Sequence, residues 1–388
     1  MIARRCVPLA LSLLLALPGA RAAPLDILGT RIDLPFDFEV ADSSETLLHS
    51  RTGVTASQVV RIKPLDGAAG DERLVFAASY FSPHHPDARA LAAELPRVAS
   101  RAASQPGVRS SSTLRIDGSE FNVVAGTSKD KAFPQAIRWF GVVGDAVYSV
   151  QISAADAHRL GPPLTARIGA IGFDRATLEK TRARMDAESS VALREERMQT
   201  PIGDVTVPRD ARFKLIESFL ARNGAGEPVF RRRTFGFLEL DDQASQTMRF
   251  PQIFSIVLGC GKQGALAPDD FDQFLQMTEE RANHESGQLY SDFRIGGTQT
   301  LLGLASQTSR ASGRSVDTWH LRHLDVRRWA AKKDGDWFMI AVNRFNGGPI
   351  ENAMLAQLST APAVCRLDLP LGSGVPSGAD PGAAQPMH

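Results

Sequence analysis

The sequence predicts an α+β protein: two tandem copies of one domain, each an antiparallel sheet covered by two helices on one face. Three observations carry this. The chain resembles itself at an offset of about 180 residues, a period long enough for each copy to be a self-sufficient domain. Short apolar runs are joined by hairpin-type turns at Gly118, Gly144-Asp145 and Asp334-Gly335, which makes the pairing antiparallel. Each copy also carries stripes of apolar residues at helical spacing.

The repeat keeps its order over five elements. Residues 115–128 align with 294–307 through a shared Arg-Ile-x-Gly opening, Arg115 to Gly118 and Arg294 to Gly297. The apolar run 74–80 matches 253–258, and the helix starts at Pro86-Asp87 and Pro268-Asp269 match. Ile137-Arg138-Trp139 matches Val326-Arg327-Arg328-Trp329, and each leads into a hairpin. The copies span 24–175 and 200–368. Each opens on a strand pair, 31–40 or 203–215, followed by a longer strand. Leu91, Leu95 and Val98 form the apolar stripe of a helix in copy one, which Pro96 shortens or kinks. Phe271, Phe274, Leu275 and Thr278 do the same in copy two. Closing helices are expected over 164–171 and 350–358.

Between the copies, residues 176–199 are highly charged with widely spaced apolar residues. They read as a solvated helix, with a flexible linker as the alternative. A stiff helix would leave a cleft between the copies. Residues 369–388 are rich in Gly, Pro, Ala and Ser without an apolar period and should be disordered.

Residues 1–22 have the form of a secretory signal peptide. Arg4 and Arg5 precede an apolar run at 7–17, and Ala20-Arg21-Ala22 supplies small residues for cleavage. The run falls short of the roughly 20 residues a spanning helix needs, so an uncleaved anchor is the lesser reading. Cys6 precedes the run, which argues against a lipoprotein. The expected location is the periplasm, with an extracellular one as the alternative. Cys260 and Cys365 then remain, and an even count in an exported chain favours a disulfide over two free thiols.

Composition is globular, 43% hydrophobic and 22% charged, with a net charge of +1. Such a balance argues against nucleic acid or an anionic membrane as a bulk partner. The sequence holds no G-x-S-x-G elbow, no G-x-G-x-x-G or Walker loop, and no H-E-x-x-H. His320, His323 and Asp325 sit close in sequence, but strand alternation turns His320 away from the other two, and zinc needs three or four convergent ligands. His84-His85 reads as a loop before a helix. No catalytic, metal or cofactor residue is assigned.

The candidate binding residues are basic and aromatic. Arg231 and Arg233 share a strand face by alternation, and Arg327 adds to the local charge of copy two. They read as a surface for an acidic protein partner, or as a solvated sheet face. Trp139 and Trp329 hold matching repeat positions, which favours core packing. Trp319 and Trp337 have no counterpart and read as interface anchors or as core.

Residues 33–40, the turn at 115–118 and residues 139–152 resemble the Mog1/PsbP-like fold, in particular its DcrB-type exported members and the type VI secretion effector chaperones. That resemblance implies a non-catalytic protein. The organisation as a whole is similar to exported immunity proteins that pair two α+β domains behind a signal peptide and hold a type VI secreted lipase in the cleft between them. It implies a secreted toxin as partner. The rival expectations are an envelope hydrolase whose residues converge only in the fold, and a small-ligand carrier.

Overall fold

The computed structural model describes residues 24–34, 36–49, 53–65, 74–83, 97, 110–116, 118–127, 133–144, 146–155, 171–190, 197–208, 213–237, 254–262, 288–290, 294–295, 298–299, 302–311, 320–344 and 349–369. In copy one the strands are β1 (Leu25–Ile27), β2 (Thr30–Ile32), β3 (Phe38–His49), β4 (Gly53–Pro64), β5 (Leu74–Pro83), β6 (Ser110–Ile116), β7 (Ser119–Thr127), β8 (Gln135–Val143), β9 (Ala146–Ala154) and β10 (Ile171–Phe173), followed by helix α1 (Arg175–Ser190). Copy two has β11 (Arg197–Thr200), β12 (Gly203–Thr206), β13 (Phe213–Asn223), β14 (Pro228–Phe237), β15 (Phe254–Lys262), β16 (Gln288–Tyr290), β17 (Arg294–Ile295), β18 (Thr298–Gln299), β19 (Leu302–Ala311), β20 (His320–Lys333) and β21 (Asp336–Arg344), then helix α2 (Pro349–Thr360).

Fourteen of these strands form one antiparallel sheet in the order β6-β7-β8-β9-β5-β4-β3-β13-β14-β15-β21-β20-β19-β16. The expectation of two α+β domains, each with its own sheet under two helices, is therefore corrected: the described chain is dominated by a single continuous sheet. The reason is the seam. β3 and β13, the first long strand of each copy, pair antiparallel from Asp42↔Asn223 to Leu48↔Glu217. Reading outward from that seam, both copies show the same strand sequence, so a pseudo-twofold axis normal to the sheet relates them. Such an axis keeps each copy's apolar face on the same side.

Of the expected helices, 350–358 lies within α2. Leu91, Leu95 and Val98 and the stripe at 271–278 fall outside the described residues. Residue 171, expected to end a helix, instead opens β10. The charged segment is helical over Arg175–Ser190, but β11 already begins at its far end.

Local chemistry explains the hairpins. Asp334 and Gly335 both take positive φ, 52° and 80°, between β20 and β21. Two such residues make a turn whose twist matches the flanking strands. Gly144 (φ 67°) closes β8 to β9 and Gly118 (φ 81°) closes β6 to β7.

Each copy lays a small hairpin over its half of the sheet. In copy one β1, β2 and β10 form a three-stranded sheet. Its Leu25, Ile27 and Ile32, with Leu34 and Leu178, pack on Leu47, Ala56, Phe76, Ala78 and Tyr148. In copy two the β11–β12 hairpin buries Met198, Ile202 and Val205 against Ile256, Leu258, Phe338 and Ile340. α2 adds Ile350, Met354 and Leu358, an i, i+4, i+8 stripe. The chain after α2 then runs beside this hairpin: the amides of Val364 and Arg366 donate to the carbonyls of Ile202 (3.3 Å) and Pro201 (2.9 Å). It is the counterpart of β10. Gln357 completes the edge of β12 by accepting from the Thr206 amide at 2.8 Å and donating to its carbonyl at 2.5 Å.

A candidate binding cleft beside the seam

Directly opposed residues in an antiparallel pair lie on one face of the sheet, so the register defines rows of side chains across it. One row in copy one runs Trp139, Val150, Ala78, Gln58, Glu45. The corresponding row in copy two runs Trp329, Ile340, Leu258, Arg233, Ser218. The two tryptophans hold equivalent positions and both are buried, as core packing requires. The next row reads Gly141, Tyr148, Tyr80, Ala56, Leu47 in copy one and Ala331, Phe338, Cys260, Arg231, Leu220 in copy two.

These rows place the arginines. Arg231 and Arg233 do share one face, and that face is inside the protein: they are 0% and 3% exposed. Arg233 Nη1 donates to the carbonyl of Gln199 in the covering hairpin at 3.0 Å. Arg231 Nη2 donates to Ser218 Oγ at 3.0 Å. Arg233 stands at the position of Gln58, whose Oε1 accepts from the Leu28 amide in the copy-one hairpin at 2.7 Å. Both residues pin a hairpin to the sheet. Burial this complete removes Arg231 and Arg233 from any exposed basic surface. Arg233→Ala should therefore cost about 1.5–3 kcal/mol, because it removes a charged donor that bonds the hairpin from within the sheet. Denaturant titration checks this, and an unchanged midpoint would refute the pinning role.

Arg232, on the opposite face, donates to Glu217 Oε1 at 2.7 Å and lies 4.9 Å from the Phe219 ring centroid. Trp337 is 6% exposed on that same face and stacks on Phe230 with centroids 5.0 Å apart. Arg327 lies on β20, where its side chain is outside the described residues, as is the whole of Trp319. Cys260 and Cys365 form a disulfide with a Cα–Cα distance of 5.5 Å across 105 residues of sequence. It ties the closing segment to β15.

The structure brings together a site that sequence reading missed. A cleft of about 620 Å³ opens between the copy-one hairpin, the start of α1 and the cap-side face of the sheet. Asp26, Arg31, Glu45, Gln58, Asp174 and Thr181 are among its lining residues. Glu45 belongs to the seam strand β3, and Arg222 Nε of β13 lies 3.8 Å from its carboxylate. Asp174 caps α1: its Oδ1 accepts from the Ala176 amide at 3.1 Å and its Oδ2 from Thr177 Oγ1. The Thr177 hydroxyl, ahead of the backbone amides and Lys180, holds the Asp174 carboxyl below its usual range. A depressed folded value means the cap is complete above the unfolded value and is lost as pH falls through the folded one. Exchange protection of the Ala176 amide should drop on acidification below the ordinary aspartate range, and a flat profile would exclude the cap.

The wall of the cleft is fixed by Tyr148. Its hydroxyl bonds Thr30 Oγ1 and donates to the Leu28 carbonyl at 3.3 Å. Burial pushes this phenol up, with the Thr30 bond pulling the other way. Phe173 of β10 stacks on Phe121 at 5.2 Å and meets Tyr148 edge-on at 5.0 Å. Among the described residues, no group of three or more His, Cys, Asp or Glu is placed to hold a metal ion. Among them, too, no helix is long and apolar enough to cross a membrane.

No family model matches the sequence, and no curated protein matches it. Among solved structures, the complex of Pseudomonas aeruginosa MucA and MucB is similar at 12% identity over 83% of this chain and 93% of that chain, with a TM-score of 0.15. MucB in complex with MucA(peri) is similar at 12% identity over 84% and 94%, with a TM-score of 0.17. At such TM-scores the likeness establishes neither a shared fold nor a shared role.

Proposed function

We propose that this chain is an exported, non-catalytic protein-binding protein that holds a secreted effector, in the manner of an immunity protein or a chaperone-like inhibitor. The observation that carries this reading is the seam. Fusing two copies through β3 and β13 makes one broad platform with both hairpin caps on the same side and a polar cleft beside the join. An extended platform of this kind suits a protein-sized partner, since stable complexes bury roughly 800 Å² on each side. The signal-peptide pattern of residues 1–22 and the disulfide fit an oxidising compartment outside the cytoplasm.

The test is affinity capture with residues 23–388, disulfide intact, from envelope and secreted fractions, followed by reconstitution with the purified partner. A single partner that reassembles at fixed stoichiometry is the expected result. If that partner is a toxin whose activity falls on binding, the immunity role stands. Turnover of an ester, amide or glycoside by the purified chain, with no partner retained, would overturn the reading.

A further inference from the structure

We infer that the cleft beside Glu45 and Gln58 is a seat for an arginine side chain presented by a protein partner. The inference rests on the protein-binding reading above and names the chemistry of the contact.

The argument comes from comparing the two copies position by position. In copy two the space between hairpin and sheet is filled from within by Arg231 and Arg233, donating to Ser218 Oγ and to the hairpin carbonyl of Gln199. In copy one the equivalent positions carry Ala56 and Gln58. Neither brings a cation; the hairpin packs over Ala56, and beside Gln58 the cleft of about 620 Å³ remains open. The acceptor side of the site is retained and strengthened: where copy two has the hydroxyl of Ser218, copy one has the carboxylate of Glu45. The protein thus displays, on its own second half, a side chain that fits this pocket.

Charge agrees with shape. Three carboxylates, Asp26, Glu45 and Asp174, line the cleft against one guanidinium, Arg31. Arg31 lies 3.6 Å from Asp33. Arg222, at 3.8 Å, already shows Glu45 within range of a guanidinium, and the geometry leaves carboxylates in excess. Arginine suits the site better than lysine because its planar fork can serve a carboxylate and a backbone carbonyl together. The volume exceeds one side chain, so flanking backbone of the partner enters as well.

The experiment uses residues 23–388 with the disulfide formed. The probe is an acetylated, amidated Gly-Arg-Gly peptide, titrated by NMR and compared with its citrulline counterpart, which keeps the shape and removes the charge. Saturable shifts at the amides of residues 28, 45 and 58 are expected for the arginine peptide alone. Glu45→Gln should weaken binding about tenfold. Gln58→Arg, which installs the copy-two residue and gives up the bond from the Leu28 amide, should abolish it while the protein still unfolds in a cooperative thermal transition, at a somewhat lower midpoint. Equal binding of the citrulline peptide, no saturable shift, or parental affinity in Gln58→Arg overturns the inference. The captured partner separates the two readings. If Gln58→Arg still holds that partner as the parent does, the arginine seat is wrong and the binding role survives; if no partner is captured, the binding role itself fails.

Discussion

Cys260→Ala with Cys365→Ser should destabilise copy two by about 4–5 kcal/mol, the chain-entropy value for closing a loop of roughly 100 residues. The bond links β15 to a segment that is otherwise held to the β11–β12 hairpin by two backbone hydrogen bonds and the Arg366–Asp204 ion pair at 2.5 Å. That pair is partly exposed and contributes little by itself. Copy one keeps its own core, so the double variant should unfold in two steps, with near-ultraviolet signals from Trp329 and Trp337 lost first. Urea titration followed by tryptophan fluorescence checks this. Reduction of the parent should reproduce the same shift. A single transition at the parental midpoint would show that the closing segment holds without the bond.

Trp337→Ala should cost about 3–5 kcal/mol, the range for removing a large buried aromatic. The indole stacks on Phe230 and lies over Gly261, where a Cβ would come within 2.8 Å of Trp337 Nε1. The repeat explains the fit. At the copy-one positions of Phe230, Gly261 and Trp337 stand Thr55, Phe81 and Val147. The bulk sits on the middle strand in copy one and on its two neighbours in copy two, so each arrangement fills its own space. Gly261→Ala should therefore be destabilising as well. If Trp337→Ala instead left the midpoint unchanged and weakened a partner, Trp337 would be an interface anchor.

How much of this was legible in the sequence follows from where each signal is stored. Duplication and hairpins are local, written in turn residues such as Asp334-Gly335 and in the matched Trp139 and Trp329. The disulfide followed from the two cysteines that lie beyond the signal-peptide pattern, Cys260 and Cys365. The seam had no such mark. β3 carries Asp42, Ser43, Ser44, Glu45 and Thr46 in succession, a polar run that does not advertise a central strand. Its partner lies more than a whole copy away in sequence, so no short-range pattern records the pairing. The arginines misled for a related reason. Three consecutive cations read as solvent-facing, yet a hairpin laid over the strand takes two of them inside and leaves only Arg232 on the other face. The cleft was invisible because its lining is drawn from β1, β2, β3, β4, β10 and α1, each contributing one or two residues that are ordinary on their own.

The seam also sets an order of events when the chain is made. β3 emerges early, but the strand that covers its outer edge follows only after the whole of copy one and the linker have passed. During that interval the nascent chain carries an open strand edge, the feature that recruits another chain's strand. If β13 of a neighbouring molecule arrives first, the same pairing forms between chains, giving an exchanged dimer with every native contact satisfied. Late, long-range closure of this kind slows folding. The time spent with β3 uncovered, and the concentration of sister chains during it, therefore set the competition between pairing within one chain and pairing between two.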